Sequence, residues 1–191
     1  MTQECCFSLD ELLREHDDRR SFSLYAERMM NLRVENLRAL CGRLPEEGQL
    51  FFLETKRSFS AFSFVAYVLR EVGRIDHLYI ATYSTNRRII QALTYWIRRG
   101  RIGTMHLHVS ETLSFRMPTL FRLLRQMEQD GILRLTTAWS HKKVACMQTP
   151  SGCFVVEGSG NYGENSMYEQ YLFTRSTSLY QFRTGKDGPY D

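Results

Sequence analysis

Between residues 49 and 137 the sequence alternates short apolar runs with longer amphipathic stretches, and each of the longer stretches closes on a glycine. Gln49–Leu53, His77–Thr82, Thr104–Val109 and Ile132–Thr137 have the length and β-branched or aromatic content of buried strands. Phe59–Val72, Asn86–Arg99 and Pro118–Gln129 have helical spacing and stop at Gly73, Gly100 and Gly131, where a chain leaves a helix most easily through a positive φ. Ser84 or Thr85 is placed to cap the second helix, and Pro118 suits the first turn of the third. Parallel strands need such crossovers, so the pattern predicts an α/β chain whose central sheet is mostly parallel or mixed, flanked by helices on both faces. The segment Phe59–Val72 is apolar on nearly every side, as expected of a helix wedged between layers.

The flanks differ in kind. Residues 22–43 carry an imperfect apolar stripe (Met29, Met30, Leu37, Leu40) ended by Pro45 and Gly48, which reads as an N-terminal helix outside the strand–helix array. The expected division is therefore 1–45 as tail and helical appendage and 46–191 as the main domain. After residue 140 the helical pattern gives way to strands: Lys142–Met147 and Cys153–Val156 flank a turn at Thr149-Pro150-Ser151-Gly152, and Tyr168–Phe173 follows.

No stretch of the 191 residues has the length and apolarity of a membrane span, and the N-terminus lacks the basic-then-apolar pattern of an export signal. Five cysteines, an odd number, fit a reducing compartment, so a cytoplasmic location is expected. Residues 1–50 carry 7 arginines against 10 acids, whereas the rest carries 18 basic residues against 11 acids. The densest basic run is Arg87, Arg88, Arg98, Arg99 and Arg101, with no acid between Asp76 and Glu111. It reads either as a solvated helix face or as a footprint for a phosphate backbone.

One constellation carries chemistry. His141 and Lys143 are two apart at the start of a strand, so they project to the same face while Lys142 points away. A hairpin later comes Gly158-Ser159-Gly160-Asn161, a turn whose glycines let backbone approach an anion beside the hydroxyl and the carboxamide. Glu169 follows on the next strand. Together these residues resemble the signature of the phospholipase D-like superfamily: His-x-Lys, four residues, Asp, six residues, Gly-Ser-x-Asn, then an acid. The resemblance covers roughly residues 46–183. It departs from the signature in two places: Gln148 stands where the aspartate belongs, and the interval before Gly158 is about three residues longer.

The resemblance implies a phosphodiesterase that uses no metal or other cofactor. His141 would attack phosphorus, Lys143 and Asn161 would hold the non-bridging oxygens with Ser159, and Glu169 would fix the imidazole tautomer. One histidine cannot be nucleophile and proton donor in the same step. The family pairs two motifs, and this sequence carries one, so the resemblance implies a homodimer in which His141 faces its copy. Ser84, Asn86, Arg87, Arg88 and Ser110 fall at strand ends or helix starts, where parallel sheets place binding residues, and are the candidate substrate contacts.

Arginine excess favours nucleic acid as substrate. A lipid phosphodiesterase is the enzymatic alternative, with the aromatic run Phe59–Tyr67 as an apolar entrance. A catalytically silent nucleic-acid-binding protein is the alternative that Gln148 favours. Glu157 and Glu164 compete with Glu169 for the acid's role. His106 and His108 share a strand face and, with Glu111, mimic a metal site, although sheet-face histidines are the plainer reading. Trp139, just before the motif, is either a stacking surface or packing.

Overall fold

A computed structural model describes residues 19–56, 58–162 and 168–185, with side chains of the first helix described from residue 30 onward. The elements are α1 (Arg19–Cys41), β1 (Leu50–Lys56), α2 (Ala61–Val72), β2 (Ile75–Thr82), α3 (Arg87–Arg98), β3 (Ile102–Ser110), the short α4 (Thr112–Arg116), α5 (Pro118–Gln129), β4 (Arg134–Ala138), β5 (Lys143–Thr149), β6 (Gly152–Gly158), β7 (Tyr168–Arg175) and α6 (Thr177–Arg183). The strands form one seven-stranded sheet in the order β1-β7-β6-β5-β2-β3-β4. Strands β2, β3 and β4 run parallel, whereas β5, β6, β7 and β1 alternate in direction, so the sheet is mixed.

The connections explain where the helices go. The crossovers β1 to β2, β2 to β3 and β3 to β4 all travel toward the β4 edge. Right-handed crossovers that travel the same way must lie on the same face. Accordingly α2, α3 and α5 share one core with Leu78, Ile80, Leu107, Met147, Val156 and Phe173, which are alternate residues of the strands. Among the described residues the opposite face carries only α6, whose Tyr180 packs with Tyr79, Val144, Cys146 and Val155. The expected helices on both faces are thus distributed very unevenly.

The wedge expected of the first crossover helix is observed. Phe62, Phe64, Val65, Tyr67 and Val68 of α2 are all buried, with the Phe64 ring set against Tyr171 and Phe173 at 5.1 and 5.2 Å between centroids. On its outer side α2 receives Val34 and Leu37 of α1, with ion pairs Arg38–Glu71 and Arg70–Glu35 at the margins. Asn86, rather than Ser84 or Thr85, caps α3: its Oδ1 accepts a hydrogen bond from Ile89 N at 3.0 Å. Helix α5 begins at Pro118 as expected, and Gly73, Gly100 and Gly131 all adopt positive φ.

Among the described residues, no helix is long and apolar enough to cross a membrane. Cys41, Cys146 and Cys153 are free thiols; burial pushes Cys41 up to about 11 and Cys146 higher still. Cys5 and Cys6 lie outside the described residues.

Candidate active site

The alternating strand directions bring five segments to one rim of the sheet. The carboxyl ends of β2, β3 and β6 meet the amino ends of β5 and β7 there. Thr82, the last residue of β2, pairs with Lys143, the first of β5. Beyond β6, Ser159 N donates to Gln170 O at 3.1 Å, holding the glycine turn against β7. The turn then crosses to β2: Tyr162 bridges Thr85, and its N–H reaches Thr82 Oγ1 at 3.4 Å. His141, Lys143, Ser159, Asn161 and Glu169 thereby all fall at this rim, Lys143 and Glu169 on the helix-covered side. Lys143 has the strand parity of Ala145 and Met147, and Glu169 that of Tyr171 and Phe173, all core residues.

Gly158 is a steric requirement of this arrangement. A Cβ there would collide with the Gln170 carbonyl and the Tyr171 ring. Only the missing side chain lets β6 and β7 approach closely enough for Ser159 to reach Glu169.

Within the cluster, Lys143 Nζ lies 2.9 Å from His141 Nδ1 and 3.1 Å from the His141 carbonyl oxygen. Burial holds the Lys143 ammonium below its ordinary pKa, opposed by the charge of Glu169 and by Tyr83. The Ser159 hydroxyl donates to Glu169 and accepts from Gln170 N at 3.1 Å, so it is committed to locking the turn. In this structure Glu169 therefore engages Ser159, and Nδ1 of His141 faces the lysine. Asn161 differs from Ser159: its Oδ1 is buried yet has no hydrogen-bond partner among the described residues. The carboxamide oxygen is thus not spent on stabilising the turn.

The acids that compete with Glu169 fall elsewhere. Glu157 forms a two-pronged ion pair with Arg183 of α6, and Glu164 lies outside the described residues. Gln148 also lies away from the rim. It is near the far end of β5, five residues from Lys143, an odd offset that turns it to the opposite face, where Tyr180 OH donates to it at 3.4 Å. Gln148 thus stands on the other face of the sheet from Lys143.

Other expected contacts separate into two groups. Ser84 lines a cavity of about 120 Å³ beside the cluster, and Arg87 lines a second of about 320 Å³. Asn86 is engaged as the cap of α3, Arg88 is exposed on its first turn, and Ser110 is 1% exposed with its Oγ accepting from Thr112. The basic run does not act as a unit. Arg87 and Arg88 stand at the rim, whereas Arg98, Arg99 and Arg101 stand at the other end of α3, about 18 Å away along twelve residues of helix.

His106 bonds Thr136 Oγ1 at 2.8 Å and packs edge-on against Tyr79, and burial followed by the charge of Arg134 lowers its pKa to about 4. No group of three metal-ligating side chains occurs among the described residues, and Glu111 sits at the residue before α4 without a side-chain cap bond. The aromatic run Phe59–Tyr67 is core: Phe59 is 3% exposed and Tyr67 0%, so it offers no entrance to lipid.

Two site residues escaped the sequence reading. The Tyr83 ring lies 4.6 Å from the His141 ring, tilted by 44°. Arg116 Nη1 donates to Tyr83 OH at 3.1 Å. Hydrogen bonding to Thr112 and then to Arg116 holds the Tyr83 phenol below its ordinary pKa. An aromatic residue directly after a parallel strand was the available signal for Tyr83. Arg116 had none, being 33 residues away.

No family model matches the chain, and no curated protein matches it in sequence. Solved structures do. Polyphosphate kinase from Porphyromonas gingivalis matches with a TM-score of 0.54 and 17% identity, over 75% of this chain and 27% of that one. The shared feature is the fold. Phosphatidylserine synthase from Haemophilus influenzae matches with a TM-score of 0.45 and 13% identity, over 72% of this chain and 37% of that one. Yeast tyrosyl-DNA phosphodiesterase matches with a TM-score of 0.39 and 12% identity, over 65% and 31%. This chain thus spans well under half the length of these proteins.

Proposed function

We propose that the chain is a phosphodiesterase of the phospholipase D-like type that cleaves nucleic acid without a metal, in an active site completed by a second copy of itself. The observation that supports the reading is the approach of the Lys143 ammonium to the His141 imidazole at 2.9 Å, on the rim that also carries the Ser159–Asn161 turn. In the proposed reaction His141 Nε2 attacks phosphorus and the P–O bond to the leaving oxygen breaks. That oxygen takes its proton from the second copy's imidazolium, and the resulting phosphohistidine is hydrolysed by water that the same group, now neutral, deprotonates. Lys143 and Asn161 hold the charge that develops on the non-bridging oxygens.

The resting geometry adds one step. With an ammonium at 2.9 Å, Nδ1 of His141 is the acceptor, which leaves the proton on Nε2. An arriving phosphate draws Lys143 onto its oxygens and frees Nδ1 to carry the proton, making Nε2 the nucleophile. Glu169 then orients Nδ1 once it releases Ser159.

The test is cleavage of labelled single- and double-stranded DNA and RNA in excess chelator by wild type and His141→Asn, with sedimentation to report oligomeric state. Wild type is expected to cleave as a dimer, and the variant to lose about 10³-fold or more in rate at unchanged melting temperature. Unchanged cleavage by the variant would sink the mechanism. Salt-sensitive binding without cleavage by either protein would establish the silent binder instead.

A further inference from the structure

Beside His141 the two cavities share Arg116 and Met117 and form one groove along the outer side of α4 and the start of α5. The inner part is bounded by Tyr83, whose ring touches that of His141. The outer part has an apolar wall of Met117, Pro118, Leu120 and Leu123. Among the described residues, its charged lining is arginine alone, Arg87 and Arg116. Two large aromatic side chains stand in solvent on the adjoining segments: Phe115 is 80% exposed and Trp139 77%. The segments that carry them start from neighbouring strand ends, joined by the Glu111 N to Ala138 O hydrogen bond at 3.1 Å.

We propose that this groove is a subsite for unpaired nucleotides flanking the scissile phosphate, which gives the enzyme a single-stranded substrate. The inference rests on the phosphodiester reading above and deepens it. Arg116 and Arg87 take backbone phosphates, the apolar wall receives a base, and Phe115 and Trp139 offer faces on which further bases stack. Exposed aromatic faces alternating with cations are how proteins hold unstacked strands with little regard to sequence. A duplex cannot use them, because its bases already cover one another's faces. Tyr83 is a positioning residue: its hydroxyl holds Arg116 and its ring meets His141, so the flanking contact and the reacting imidazole share one support.

The test measures binding by fluorescence anisotropy in the full chain carrying His141→Asn, so that cleavage does not interfere. The probes are a labelled twelve-nucleotide single strand, the matching duplex, and vesicles of phosphatidylglycerol. Single strand is expected to bind at least about tenfold more tightly than duplex. Arg116→Ala, Phe115→Ala and Trp139→Ala should each weaken single-strand binding about fivefold or more. Arg116→Ala should also flatten the slope of log affinity against log salt by about 0.7. Arg99→Ala, at the far end of α3, should change nothing. Duplex bound as well as single strand, variants indistinguishable from their parent, or binding to vesicles alone would each overturn the subsite. Cleavage by wild type is scored separately: tight single-strand binding without it keeps the subsite and removes the hydrolase, and cleavage with indifferent variants does the reverse.

Discussion

The two ends of α3 carry the same kind of residue and use it differently. At the carboxyl end, Arg101 donates to Leu69 O at 2.9 Å and Gly73 O at 3.3 Å, and Arg74 pairs with Asp76 at 2.8 Å. Arg101 thus adds a second donor to Leu69 O, which already accepts from Gly73 N at 3.0 Å, and supplies one to Gly73 O just past the end of α2. Arg99 lies over the Tyr95 ring at 5.2 Å. At the amino end, Arg87 borders an open groove, and Arg116 faces it with one hydrogen bond to a tyrosine hydroxyl. A cationic cluster in a sequence is therefore two populations here: one is tied into the end of a neighbouring helix, and the other stands at the rim beside an open groove.

Substitutions can break or sharpen that contrast. The largest effect is expected at the rim's steric keystone: Gly158→Ala should cost about 2–3 kcal/mol in urea unfolding, because β6 and β7 must part, and should disturb the turn that carries Asn161. Next, Arg87→Ala should weaken single-strand binding several-fold, while Arg99→Ala leaves it unchanged; equal effects would erase the distinction between the two ends. Arg101→Ala should do the opposite, lowering stability by about 1 kcal/mol through its unmade carbonyl contacts while sparing nucleic-acid affinity.

The smallest effect concerns the sheet face opposite the helices. His106 titrates near 4 when folded against 6.5 as its ordinary value, so the unfolded chain takes up its proton first as pH falls. Stability should hold above pH 6.5 and decline from there toward pH 4. After discounting for partial exposure, about 1 kcal/mol or less is expected between pH 7 and 5, reduced in His106→Asn.

Much of the scaffold was legible because its punctuation is local. Glycines that need positive φ and a proline at a first helical turn mark their boundaries without help from the rest of the chain, and α5 begins and ends where the sequence placed it. The side on which a crossover packs is not local; it depends on which way the strands advance across the sheet, so the one-sided helical layer was invisible. The site divides in the same way. His141, Lys143 and Asn161 announce themselves by spacing, whereas Tyr83 and Arg116 meet only after folding. The separation of Gln148 from His141 and Lys143 was readable in the sequence, since an odd step from Lys143 on a strand means the other side.

The position of the β5–β6–β7 meander has a consequence for how the molecule is made. β1 and β2 are consecutive in the chain, yet three strands synthesised after both of them stand between them. A nascent chain halted near residue 140 holds two halves of a sheet with the middle absent, and exposes both inner margins to wrong partners. Closure should therefore be late and all at once, with amides of β2 and β5 gaining protection together in pulsed hydrogen exchange. The rim that holds His141 beside Lys143 would then form in the same event that seals the protein's centre.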